Sequence, residues 1–125
     1  MSSHLTVRQT ELASELLGVA SDRELTEFLG GLVTETAWRL GELPPGTRHR
    51  LVQQLQRTVA DTVPTVAALV GSGRAVDATA AARWYGLELE GMSAEDRDYE
   101  IARQFVRLAQ AEIAAAAGNR PRRTT

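Results

Sequence analysis

The sequence predicts an all-α fold, a small bundle of four or five helices. Apolar residues recur at helical spacing over several long stretches, and capping sequences stand at their starts. Strand signals amount only to Leu87-Glu88-Leu89-Glu90, too short to build a sheet. At 125 residues with 43% apolar content, the chain is sized for one domain spanning 1–125, with flexible tails at 1–6 and 119–125. Two Phe, two Trp and two Tyr leave a core built from Leu, Val and Ala.

The first helix is expected over about 7–19, with Thr6 and Gln9 as a capping box and Leu12, Leu16 and Val19 inward. A second starts at Ser21, whose reciprocal partner is Glu24. Leu25, Phe28, Leu29, Leu32, Val33, Thr36 and Leu40 share one arc of it. Gly30 and Gly31 interrupt that arc at a cost of about 1 kcal/mol each relative to Ala; either another backbone approaches closely there, which is the expectation, or the helix breaks. Leu43-Pro44-Pro45-Gly46 is a turn.

The stripe Leu51, Val52, Leu55, Val59, Val63, Val66, Leu69 and Val70 stays in phase across Pro64, which predicts a long third helix kinked at Pro64. Gly71-Ser72-Gly73 ends it. A short helix over about 75–85 follows, with Val76, Ala80 and Trp84 as its inner face. Ser93 and Asp96 then open the last helix, with Glu95, Asp98 and Glu100 also near its positive end. Ile101, Ala102, Phe105, Val106, Leu108, Ala109 and Ile113 form its stripe, and Gly118, Asn119 and Pro121 stop it.

Composition and motifs argue against catalysis. Cysteine is absent, which removes disulfides and thiol chemistry. His4 and His49 have no second ligand at metal spacing, and the acidic run after Glu88 is explained by capping and the helix dipole. No serine sits beside a plausible base, and Gly71-Ser72-Gly73-Arg74 lacks the second half of a phosphate loop. Hence no catalytic residue, cofactor or metal is assigned, and the chain is read as a non-enzyme. The net charge of −2 and the lack of lysine argue against nucleic acid. Arg39, Arg48, Arg50 and Arg57, with Arg120, Arg122 and Arg123 in the tail, are read as a solvated face or as partners of the acidic block. The N-terminal MSSHLTVRQTE lacks the apolar run of a secretion signal, so the expected location is cytoplasmic, with carriage in or on an extracellular particle left open.

Protein docking is the better-motivated role. Trp38 projects opposite the apolar arc of its helix, and the adjacent Trp84 and Tyr85 cannot both enter one core. Aromatic side chains with a polar tip are favoured interface anchors. The candidate partner contacts are Trp38, Trp84, Tyr85, Leu87, Leu89 and Met92, with Arg97, Arg103 and Arg107 supplying charge.

Two blocks carry a resemblance. The first holds Glu24, Phe28, Leu29, Gly30 and Leu32. The second runs Gly86 through Ser93, then Glu95, Asp96, Arg97, Glu100, Ala102, Arg103, Phe105, Val106 and Arg107. Together they resemble a family of small bacterial proteins found near loci for phage-tail-like contractile injection systems. That resemblance implies an accessory protein of a larger assembly, acting as component, adaptor or cargo and binding protein partners, a second copy included. Relatives have a Gly- and Ala-rich apolar centre. Here residues 44–79 are more polar, with Gln53, Gln54, Gln56, Arg57 and Asp61 on the outer face, which favours a closed bundle. The alternative is a membrane-acting effector in which Pro64 to Val70, within the uncharged stretch 62–73, and the apolar helix faces insert into a bilayer after the bundle opens.

Overall fold

The computed structural model describes residues 3–40, 43–44, 46–70, 78–88 and 90–118. Among them it forms six helices and no strand: α1 (Ser3–Leu17), α2 (Asp22–Leu40), α3 (Thr47–Thr62), α4 (Pro64–Val70), α5 (Ala78–Tyr85) and α6 (Ala94–Gly118). The fold is all-α. The longest helix, α6, packs against α1, α2, α3 and α5 and organises the molecule. Its Ile101, Ala102, Phe105, Val106, Ala109 and Ile113 are all completely buried. They meet Leu12 and Leu16 of α1, Leu25, Leu29, Leu32 and Val33 of α2, and Leu55 and Val59 of α3 in one core. Val19, Phe28 and Leu108 are half-buried at its margin.

The helix starts follow from side-chain capping. The Glu24 amide donates to Ser21 Oγ at 3.1 Å, and the Glu24 carboxylate reaches back to accept from the Ala20 amide at 2.9 Å. At α6 the Asp96 amide donates to Ser93 Oγ at 3.1 Å. Gly46 stands before α3 with φ 82° and ψ −20°, and the Thr47 amide donates to the Pro44 carbonyl at 3.1 Å. That bond closes a turn, and a positive φ at Gly46 is a conformation that glycine adopts without steric cost. Helix α5 ends in a Schellman motif around Gly86 at φ 71°. The Leu87 amide donates to the Ala82 carbonyl and the Gly86 amide to the Arg83 carbonyl.

Four expectations are corrected. At Pro64 the chain breaks where a kink was expected: Val63 is extended at φ −116° and ψ 107°, and α4 is a separate helix. The pyrrolidine ring disfavours helical backbone at the preceding residue and removes a donor, and here both effects end α3. The break raises the helix number to six. Val63 and Val66 stay buried, which is why the stripe keeps its phase across the break. At the N-terminus, α1 begins at Ser3, since nothing before Thr6 breaks a helix; residues 3–6 join α1 and Thr6 is no cap. A Cβ built on Gly30 or Gly31 meets nothing within 4 Å among the described residues, so no backbone approaches there.

The fourth correction concerns α5, whose inner face is rotated by about one residue, or 100°. Ala81 and Ala82 are buried, and Tyr85 packs half-buried against the core. Ala80 and Trp84 face outward. Val76, Leu89, Pro45 and the segments 1–2, 71–77 and 119–125 lie outside the described residues, as do the side chains of His4, Arg39, Leu40 and Val70.

Candidate docking surfaces

The structure divides the predicted contact residues into two sets. Trp38 on α2 is 87% exposed and Trp84 on α5 is 57% exposed; among the described residues they and Val7 are the large apolar side chains that face solvent. Arg107 is exposed as well. By contrast Tyr85, Leu87 and Met92 are half-buried against the core, so their apolar surface is already in use. Arg97 and Arg103 are also half-buried, flanking the buried stripe of α6 on opposite edges, and the Nε of each has no hydrogen-bond partner. Arg103 lies 3.8 Å from Glu100, one helical turn away. At 100° per residue Arg107 falls between them on the outer side of α6.

Tyr85 turns inward because its hydroxyl has somewhere to go. Thr62, 1% exposed, gives its proton to the Thr58 carbonyl at 2.7 Å and is left to accept from the Tyr85 hydroxyl at 2.8 Å. Burial pushes the Tyr85 phenol up to about 12, and the Glu112 carboxylate acts in the same sense. Trp84 is left outside, edge-on to the Tyr85 ring at 4.8 Å between centroids and 76° between planes.

Two features escaped the sequence reading. The first is a clasp between α1 and α2. Arg8 forks onto Glu35 through Nε and Nη2, each at 2.6 Å, and also meets Glu11 at 2.9 Å. These contacts hold the guanidinium above its already high basicity. Arg8 and Glu35 are 27 positions apart, and no local spacing relates them. The second is an open groove of about 350 Å³ between the start of α2 and the outer side of α3, lined by Asp22, Leu25, Gln53, Gln56, Arg57 and Ala60. The outer-face Gln and Arg pattern of α3 contained that signal; the position of α2 beside it did not.

Arg48, Arg50 and Arg57 are exposed, and among the described residues none pairs with the acidic run Glu88, Glu90, Glu95, Asp96 and Asp98. Nor does any group of three His, Asp or Glu among the described residues stand where it could hold a metal ion. No helix among them is long and apolar enough to cross a membrane. No family model, curated protein or solved structure matches the chain.

Proposed function

We propose that the protein is a non-enzymatic helical accessory protein that docks to a larger bacterial assembly. The observation that carries this reading is the pair of tryptophans held outside a core that buries the aliphatic stripes of α1, α2, α3 and α6. An indole in water forgoes much of the stabilisation its burial would give, and such residues dominate the energetics of interfaces when they are covered. The resemblance of the Glu24–Leu32 and Gly86–Arg107 blocks directs the proposal to a contractile injection particle, with the chain as component, adaptor or cargo. Trp38, Trp84 and Arg107 are the contacts open to a partner. The Tyr85 ring lies edge-on to Trp84, Leu87 and Met92 pack against the core, and Arg97 and Arg103 lie beside the core stripe.

The membrane-acting alternative has no specific observation in its favour. Val63, Val66 and Ala67, at the heart of its inserting segment, are buried in this fold. The test is affinity purification of the tagged chain from its native host, with mass spectrometry of what accompanies it. Tail-tube, sheath or baseplate proteins at reproducible stoichiometry, lost on Trp38→Ala or Trp84→Ala, are the expected result. Recovery of the chain with membrane alone would overturn the reading.

A further inference from the structure

The groove between α2 and α3 has a chemistry that can be matched to a ligand. Leu25, 1% exposed, and Ala60 give it an apolar base, Gln53, Gln56 and Arg57 line it from α3, and Asp22 lines it from α2. The Gln56 amide is oriented: its Nε2 donates to Thr26 Oγ1 at 3.0 Å, and that hydroxyl donates to the Asp22 carbonyl at 3.1 Å. Gln56 Oε1 is thereby left as an acceptor. An apolar floor, a guanidinium edge and one free acceptor are what an indole requires for its ring, its π face and its N–H.

The chain itself carries such a side chain. Trp84 is exposed at the end of α5, and Gly86 turns the backbone there into an acidic segment with Glu88 and Glu90 in solvent. The groove is flanked on α3 by Arg50, one face with Arg57 at a spacing of seven residues. Among the described residues none of these four charges is in an ion pair within the molecule. Trp38 is the poorer fit, because the nearby Glu35 carboxylate is already claimed by Arg8.

We infer that the chain self-associates head to tail, Trp84 of one copy filling the α2–α3 groove of the next while Glu88 and Glu90 face Arg50 and Arg57. The contact is heterologous, so it propagates unless a rotation closes it into a ring. It rests on the docking reading only in taking Trp84 as an anchor; the assembly it builds is of this chain alone.

The test is sedimentation and light scattering of the full-length chain at low ionic strength, from micromolar to millimolar concentration. The mass is expected to rise with concentration and to fall back on adding salt, which screens the flanking charges. In a Trp38→Phe background the emission of the remaining indole shifts to the blue as copies associate. Trp84→Ala and Arg57→Glu, each checked for helicity by circular dichroism, are expected to be monomeric alone. An equimolar mixture of the two has one intact knob and one intact groove, so it forms a two-chain complex that grows no further. Trp84→Phe keeps the ring and loses the N–H, and weakens association without abolishing it. A wild-type chain monomeric throughout, association that persists in Trp84→Ala, or a mixture that stays monomeric would each overturn the inference. If a monomeric chain still captured particle proteins, the docking reading would survive alone.

Discussion

Helices α6 and α5 follow one another in the chain, yet their faces are set by different things. In α6, 25 residues repeat the stripe over seven turns, and the buried set falls where the 3.6-residue period places it. In α5 there are eight residues, half of them alanine, and the period has too few marked positions to fix an orientation. One hydrogen bond between Tyr85 and Thr62 then decides which side turns inward. Long helices are oriented by area; short ones can be oriented by a single polar group that must not be stranded.

The largest effect expected from this contrast is at the centre of α6. Phe105 is completely buried among residues of the other helices, so Phe105→Ala should cost about 3–5 kcal/mol, read from the midpoint of denaturant unfolding. A loss under 1 kcal/mol would mean that α6 is not the centre of the core. On α5 the rotated face gives a paired test. Ala81 is 1% exposed, and Ala81→Leu should cost about 1–3 kcal/mol by overpacking. Ala80→Leu, on the exposed side, should change stability by no more than about 0.5 kcal/mol. The reverse ordering would restore the face that simple periodicity assigns.

These two helices also show how far the sequence could be read. The Ser21 and Ser93 caps, the turn at Gly46 and the core stripe of α6 are local: each depends on residues within a turn or two, and each is visible as spacing. The Arg8–Glu35 clasp, the groove beside Arg57 and the inward turn of Tyr85 depend on which helices become neighbours, and spacing along one chain does not contain that. The outward Trp38 was legible because its own helix marks the opposite side clearly. For Trp84 it is the inner-face expectation that fails, because the neighbouring tyrosine has the better polar partner.

A smaller effect separates the α5 hydrogen bond from mere burial. The Tyr85 phenol titrates near 12 in the folded chain and near the ordinary value of about 10 when unfolded. Its contribution is complete below pH 10 and is lost as the pH rises towards 12, because the unfolded chain releases the proton first. The loss should reach about 2 kcal/mol, discounted for the partial exposure of the ring. Tyr85→Phe should remove that slope, at a cost of about 1 kcal/mol at neutral pH. Thr62 keeps its own bond to the Thr58 carbonyl in that variant, so no buried donor is stranded. Equal slopes in both proteins above pH 10 would show that Tyr85 is not held in this environment.

The smallest effect has the opposite sign. Helix α2 resembles α6 in having an extended stripe, but it carries Gly30 and Gly31 in its middle. A glycine pair inside a stripe suggests a packing notch, and sequence spacing alone offers no way to see what faces the missing side chains. Among the described residues nothing lies within 4 Å of either Cβ position, and neither glycine has a positive φ. Backbone freedom in the unfolded chain is then their main energetic consequence. Gly31→Ala, on the exposed side, should stabilise the protein by about 0.5–1 kcal/mol, and Gly30→Ala by a similar amount. Thermal unfolding of the two variants checks this at the scale of a few degrees. Destabilisation by both would mean that something outside the described residues, or a second chain, closes on α2 there, and would extend to α2 the lesson of α5, that neighbours override the pattern.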